Sequence, residues 1–142
     1  MRRTIGLLLT LAVITASCGG QSGSGAGSAA PAQVKLTDGK VVIAVINDQS
    51  LVYADLSGKN SVEAVKMAIE DFKKKYGDKA LGGAIEVITA DHQNKPDLAA
   101  SKATEFYERS NADIVLDVPT SSAALAIAKV ANDQKKLYIN IG

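Results

Sequence analysis

The residues Val41-Val42-Ile43-Ala44-Val45-Ile46 decide the fold class of this chain. They form an uninterrupted apolar run in which every residue except Ala44 is β-branched. A run that is apolar on both faces is typical of a central parallel strand that helices cover on both sides. The run therefore predicts an α/β protein with a mainly parallel sheet.

A first helix follows this run. It is predicted from apolar residues at alternating spacings of three and four, namely Val62, Val65, Ile69, Phe72 and Tyr76. Asn60 and Glu63 have the spacing of a capping box at the start of the helix. Gly77 is a natural residue for its end.

Three further strands and two further helices complete the pattern. The strands are predicted at residues 85–90, 114–118 and 137–141, and an alanine-rich third helix at residues 123–133. Pro96 opens the second helix, because a proline costs no hydrogen bond in the first turn. One face of that helix consists mainly of small residues, at Ala99, Ala103, Phe106 and Ser110. The order βαβαβαβ predicts a three-layer, doubly wound parallel sheet.

Residues 1–17 have the layout of a lipoprotein signal peptide. Arg2 and Arg3 precede an apolar run at residues 5–14, which is shorter than the about 20 residues of a membrane-spanning helix. Small residues then lead to Cys18 in a pattern that resembles a lipobox, which predicts a lipid anchor on Cys18. A plain signal peptide with an incidental cysteine is the alternative. Residues 18–36 are rich in Gly, Ser and Ala and predict a flexible tether, which leaves residues 37–142 as the folded part.

Charge and cysteine content exclude several classes of protein. The chain has 16 basic and 15 acidic residues, and loss of Arg2 and Arg3 with the signal peptide would leave 14 basic residues. A net charge near −1 gives no electrostatic support for nucleic-acid binding. Cys18 is the single cysteine, so no intrachain disulfide forms. No glycine-rich loop follows a predicted strand and no Cys/His cluster occurs, so the sequence predicts neither a cofactor nor a metal site.

Ligands of open α/β sheets bind beyond the carboxyl ends of the strands, where the sequence places polar loops. Tyr53 follows the first strand and is either a contact for an apolar ligand group or a half-buried loop residue. His92, the only histidine, follows the second strand and is predicted to face solvent.

Thr120, Ser121 and Ser122 follow the third strand and stand at the start of the third helix. Unpaired N–H groups and the positive dipole end favour an anion such as a carboxylate there. Ordinary N-capping by one serine is the alternative. Nucleophilic catalysis by Ser121, as in a hydrolase on a flavodoxin-like sheet, has weaker support, because no G-x-S-x-G motif occurs and His92 is the only obvious base.

These segments together resemble the opening of type I periplasmic solute-binding proteins of the branched-chain amino acid type, which bind Leu, Ile or Val. The resemblance extends from about Lys40 to Gly142 and rests on the order and spacing of six segments. They are residues 42–45, 53–55, 68–72, 85–87, 90–97 and 117–122. The resemblance implies two α/β lobes that clamp a ligand between them, with this chain as a partial N-terminal lobe. Since the chain stops at the end of a predicted strand, we expect it to be the beginning of a longer protein.

The resemblance also implies a function without catalysis. It implies a lipoprotein on the periplasmic or extracellular face of the cell membrane, which passes a small carboxylate-bearing solute to the permease and ATPase of an ABC importer. Ser121 and Ser122, together with Thr120, match the segment that holds the carboxylate, and Tyr53 matches an aromatic residue that lines the cleft. A ligand-sensing lipoprotein without a transporter is the alternative.

Overall fold

The computed structural model of the chain describes residues 38–117 and 120–141. The predicted signal peptide, Cys18 and the tether lie outside these residues, and so do Val118, Pro119 and Gly142. Among the helices of the described residues, none is long and apolar enough to cross a membrane.

Strands and helices alternate along the described residues, and the predicted βαβαβαβ order is confirmed. The strands are β1 (Lys40–Asn47), β2 (Ala84–Asp91), β3 (Ile114–Asp117) and β4 (Leu137–Asn140). The helices are α1 (Gly58–Tyr76), α2 (Pro96–Arg109) and α3 (Ser121–Gln134).

The four strands form one parallel sheet in the order β2-β1-β3-β4. β1 pairs with β2 over its whole length, from Lys40 opposite Ala84 to Asn47 opposite Asp91. Its other edge pairs with β3, beginning with Ile43 opposite Ile114. The chain thus leaves β1 to one side, returns past it, and continues to the other side. This reversal confirms the doubly wound topology.

Helices α2 and α3 pack against each other and cover one face of the sheet. The core on this face contains Val42, Ala44, Ile46 and Val115 from the strands, all fully buried. The helices contribute Ala99, Ala103, Phe106, Ala123, Ile127 and Ala131. The predicted small face of α2 is confirmed for Ala99, Ala103 and Phe106, whereas Ser110 lies just beyond the helix at its C-cap.

Helix α1 packs on the opposite face, against β1 and β2. An apolar groove of about 310 Å³ runs beside it. The groove is lined by Ile43, Val65, Ala68, Ile69, Phe72, Leu81, Ile85 and Leu116. At β4 and just past it, Leu137, Ile139 and Ile141 are 56%, 43% and 56% exposed. Within the described residues, this face is therefore covered only in part.

Helix α1 begins earlier than the sequence predicts. The expected capping box of Asn60 and Glu63 is wrong, because the helix starts at Gly58 and Ser57 occupies the N-cap position. The side-chain amide of Asn47 donates a hydrogen bond of 2.6 Å to the carbonyl of Gly58. A contact from the end of β1 thus fixes the first turn, and residue spacing within the helix cannot reveal such a contact.

The other helix boundaries agree with the sequence to within two residues. Gly77 follows α1 with a φ of 90°, a conformation that costs glycine little and other residues more. Pro96 is the first residue of α2, as predicted. α3 begins at Ser121, two residues before the predicted start, with Thr120 at its N-cap.

Candidate functional site

The carboxyl ends of β1 and β3 flank the point at which the strand order reverses. β1 and β3 are neighbours in the sheet, and the helices that follow them pack on opposite faces. Ligands of open α/β sheets bind in the crevice that such a reversal creates. The fold therefore brings the predicted site residues to one edge of the sheet, with Tyr53 on the β1 loop and Thr120, Ser121 and Ser122 on the β3 side.

A buried carboxylate fixes the shape of the loop between β1 and α1, which comprises residues 48–57 and is called the β1 loop. Asp48 is 1% exposed, and its side chain accepts the backbone N–H groups of Leu51 at 2.8 Å and Tyr53 at 3.0 Å. Asn47, which is also buried, secures the far end of the loop through its bond to Gly58. The loop is therefore held near both of its ends by side chains that follow each other in sequence.

Tyr53 is half-buried within this loop. Its carbonyl accepts the N–H groups of Leu56 and Ser57, both at 3.1 Å. Leu51, Val52 and Leu56 are 53%, 76% and 72% exposed. The loop thus presents apolar side chains and one aromatic ring at the carboxyl edge of the sheet.

Asp91 links the loop after β1 to the loop after β2. Its Oδ1 accepts the N–H of Gln49 at 3.0 Å and that of Gln93 at 2.8 Å. Burial opposes ionisation of Asp91, but hydrogen bonds from the Ser50 side chain and from these two N–H groups outweigh it and lower the pKa of Asp91. The carboxylate is consequently ionised at neutral pH and fixes one side of the β1 loop.

Hydroxyl groups are concentrated at the start of α3. Thr120 occupies the N-cap and is 4% exposed, but its side chain makes no capping hydrogen bond. Within the described residues, its Oγ1 has no hydrogen-bond partner. Ser121 and Ser122 are the first two helical residues, and both are exposed. The first N–H groups of a helix lack helical partners and carry partial positive charge, so a carboxylate is the chemical group that this position suits.

His92 lies elsewhere than the sequence predicts. It was expected to face solvent, and it is fully buried. The backbone N–H of His92 donates a hydrogen bond of 3.0 Å to the backbone carbonyl of Asn47, so the pairing of β1 with β2 continues one residue past β2. This extension carries His92 into the interior, where its imidazole does not contribute to the exposed edge.

The structure gives no support to a hydrolase. Ser121 is exposed, His92 is buried, and β1 separates the strands that precede them. Strands two positions apart lie about 10 Å from each other, whereas a serine needs its base within about 3 Å. Within residues 38–117 and 120–141, no three His, Cys, Asp or Glu side chains are grouped so as to hold a metal ion.

Sequence reasoning missed Asn47, Asp48 and Asp91 as the residues that shape these loops. Each stands at the end of a strand or directly after it, where Asn47 and Asp48 are buried and Asp91 is half-buried. A polar residue at such a position must find hydrogen bonds inside the protein. That placement, rather than any motif, is the feature that identifies them.

Comparison with known proteins supplies the family. A family model that describes a periplasmic binding protein matches residues 40–142, which include every described strand and helix. The chain belongs to the periplasmic binding protein family. No curated protein matches it in sequence. The resemblance to solute-binding proteins of ABC transporters, of the branched-chain amino acid type, is confirmed.

Three solved structures illustrate the relationship. A periplasmic binding protein from Burkholderia mallei is 46% identical, with a TM-score of 0.67 over 74% of this chain and 27% of its own. A branched-chain amino acid ABC transporter periplasmic ligand-binding protein from Burkholderia xenovorans is also 46% identical, with a TM-score of 0.63 over 69% and 25% of the two chains. An ABC-type branched-chain amino acid transporter protein from Rhodopseudomonas palustris is 34% identical, with a TM-score of 0.64 over 71% and 27%.

The periplasmic binding protein described here spans about a quarter of the length of these relatives.

Proposed function

We propose that this protein captures a small carboxylate-bearing solute and presents it to the permease and ATPase of an ABC importer. Relatives from Burkholderia xenovorans and Rhodopseudomonas palustris are named for branched-chain amino acids, so a branched-chain amino acid or a related solute is the favoured cargo. The reaction is binding and release, in which no covalent bond forms or breaks.

One observation carries this proposal: the start of α3 holds a buried threonine hydroxyl that caps nothing. A hydroxyl at an N-cap normally accepts a hydrogen bond from the helix backbone, and the Thr120 side chain makes no such bond. Leaving a buried polar atom unpaired costs about 1–3 kcal/mol. A carboxylate at this position would accept from the Thr120 hydroxyl, from Ser121 and Ser122, and from the free N–H groups of the first turn.

The β1 loop supplies the complementary part of the proposed site. Tyr53 is half-buried there, beside Leu51, Val52 and Leu56, which are exposed apolar side chains. Binding sites for small molecules combine apolar walls with a few placed polar groups. A solute with a carboxylate at one end and an aliphatic group at the other matches the start of α3 together with the β1 loop.

The test uses the chain itself with L-leucine as the probe and leucinol, which lacks the carboxylate, as the matched control ligand. Because this chain spans about a quarter of the length of its relatives, we expect a dissociation constant of about 1 mM or weaker for L-leucine. The amide signals of Ser121, Ser122 and Ala123 should shift in ¹⁵N NMR titrations with L-leucine, and they should not shift with leucinol.

Variants assign the effect to residues. Ser122→Ala should reduce the L-leucine shifts severalfold, whereas Ser101→Ala, at an exposed serine of α2, should leave them unchanged. Equal shifts with leucinol, or shifts confined to residues far from Ser121, would show that the proposed carboxylate position is wrong.

We also propose that the mature protein is held at the outer face of the cell membrane by a lipid on Cys18. The lipobox-like pattern that ends at Cys18 and the Gly/Ser/Ala stretch of residues 18–36 support this anchoring. Cells fed labelled palmitate should incorporate label into the wild-type chain and none into Cys18→Ser. Export of an unlabelled wild-type chain would instead support a plain signal peptide.

A further inference from the structure

We infer that Asn47 and Asp48 are positioning residues that hold the β1 loop in one shape before any solute arrives. The effect on solute binding rests on the function proposed above. The shape of the loop does not, and it can be measured without solute.

The Asp48 carboxylate depends on the loop itself for its hydrogen bonds. It is 1% exposed, and none of the ion pairs among the described residues includes it. Its hydrogen bonds from Leu51 and Tyr53, at 2.8 and 3.0 Å, come from backbone N–H groups. A buried carboxylate without such donors would be strongly unfavourable, so these hydrogen bonds favour the loop conformation that wraps around Asp48.

Asn47 holds the far end of the loop close to β1. Asn47 Nδ2 donates to the Gly58 carbonyl at 2.6 Å, and Asn47 is fully buried. Gly58 has a φ of +25°, and a Cβ on it would lie 3.4 Å from the Asp48 carbonyl oxygen and 3.7 Å from Ala54 Cβ. The first residue of α1 is therefore held close to the start of the loop, so both ends of the ten-residue segment between β1 and α1 lie near each other.

These hydrogen bonds leave apolar side chains of the loop exposed. Loops are usually ordered by burying their own apolar side chains, yet Leu51, Val52 and Leu56 remain largely exposed. Polar bonds from the end of β1 do the ordering instead, and the apolar side chains beside Tyr53 stay available for contact. A loop ordered in advance loses less conformational entropy when it binds, which strengthens binding.

The test begins with hydrogen exchange of the protein without solute. In Asp48→Asn the side chain keeps one acceptor oxygen and places an N–H₂ group against a backbone N–H. We expect the Leu51 and Tyr53 amides to exchange about tenfold faster or more, while the amide of Val45 in β1 stays within about threefold of wild type. Asp55→Asn is the matched control, since Asp55 is an exposed carboxylate of the same loop and should change neither rate.

Solute binding provides the second readout. In L-leucine titrations, Asp48→Asn should weaken binding about tenfold with little change in the urea midpoint, and Asp55→Asn should bind as wild type does. If the wild-type chain does not bind L-leucine, the proposed function fails, and hydrogen exchange still decides the inference.

Two results would overturn the inference that Asp48 positions the β1 loop. One is unchanged exchange at Leu51 and Tyr53 in Asp48→Asn. The other is an equal acceleration at Val45, which would mean that Asp48 supports the whole fold rather than the loop. Should Asp48→Asn not fold, Asn47→Asp removes the donor to Gly58 while keeping the side-chain size, and its loop amides are judged by the same two criteria.

Discussion

The two faces of the sheet are built from the same strands but are buried to different extents. On the face that α2 and α3 cover, Val42, Ala44 and Ile46 of β1 are fully buried. On the face that α1 covers, Leu116 of β3 lines an open groove and Ile139 of β4 is 43% exposed. Val45 of β1, which alternates with these residues and faces α1, is also buried, at 2% exposed. The less covered part of the α1 face therefore lies at β3 and β4, since α1 packs against β1 and β2.

This difference indicates where the stability of the folded part comes from. Apolar burial contributes about 25 cal/mol per Å² of surface removed from water. Two mutually packed helices remove most of that surface on one face, and a single helix beside β1 and β2 removes less on the other. Equivalent substitutions on the two faces should therefore have very different costs.

The largest effect is expected at Ile46, which is fully buried beneath α2 and α3. Ile46→Ala should lower the free energy of unfolding by about 2–5 kcal/mol, because it removes buried methyl groups and leaves a cavity. Urea unfolding followed by circular dichroism measures this change. If Ile46→Ala does not fold, Ile46→Val should still lose about 0.5–1.5 kcal/mol.

Ile139 is the matched control, as it is the same residue type in a strand on the less covered face. Ile139→Ala should change the free energy of unfolding by about 1 kcal/mol or less, because much of its surface is already in water. Equal losses at Ile46 and Ile139 would mean that something covers the α1 face in solution.

An effect smaller than that of Ile46→Ala is expected at Tyr107, which connects helix α2 to strand β4. Its hydroxyl, carried by α2, donates a hydrogen bond of 2.8 Å to the carbonyl of Leu137 in β4. Tyr107→Phe should lower the free energy of unfolding by about 0.5–1.5 kcal/mol at pH 7. A loss as large as that of Ile46→Ala would contradict the view that helix packing dominates.

Tyr107 also makes the stability difference between the wild type and Tyr107→Phe depend on pH. Burial raises the pKa of Tyr107 to about 12, above the value of 10.0 for an exposed tyrosine. Between pH 10 and 12 the unfolded chain loses this proton while the folded chain keeps it, so the stability of the wild type falls as the pH rises. The stability advantage of the wild type over Tyr107→Phe should therefore shrink across this interval. A constant difference would place the Tyr107 hydroxyl in contact with water.

The fold could be predicted because its determinants are local. The run from Val41 to Ile46 marks a strand that is apolar on both sides, and Pro96 and Gly77 mark helix ends through their own backbone restrictions. This run does not indicate which face of the sheet the helices cover better, because its residues are apolar on both faces. That information depends on helices that lie far along the chain.

The position of the candidate site at the carboxyl edge of the sheet could be predicted from the sequence. The hydrogen bonds that shape the loops around it could not. Thr120, Ser121 and Ser122 could be placed at a helix start from their residue types. The hydrogen bonds of Asp48 and the burial of His92 depend on how β1, β2 and their loops meet, which no short stretch of sequence encodes. Whether the three hydroxyl residues hold a carboxylate stays a prediction.

The central position of β1 has a consequence for biosynthesis. Ile43 pairs with Val87 on one edge and with Ile114 on the other, so the first strand to leave the ribosome is enclosed only when the third has been made. At translation rates of about 5–20 residues per second, one edge of β1 stays without a hydrogen-bonded partner strand for roughly 4–15 s. Bare edges template aggregation, so a chaperone that holds the nascent chain during this interval should raise the yield of the protein.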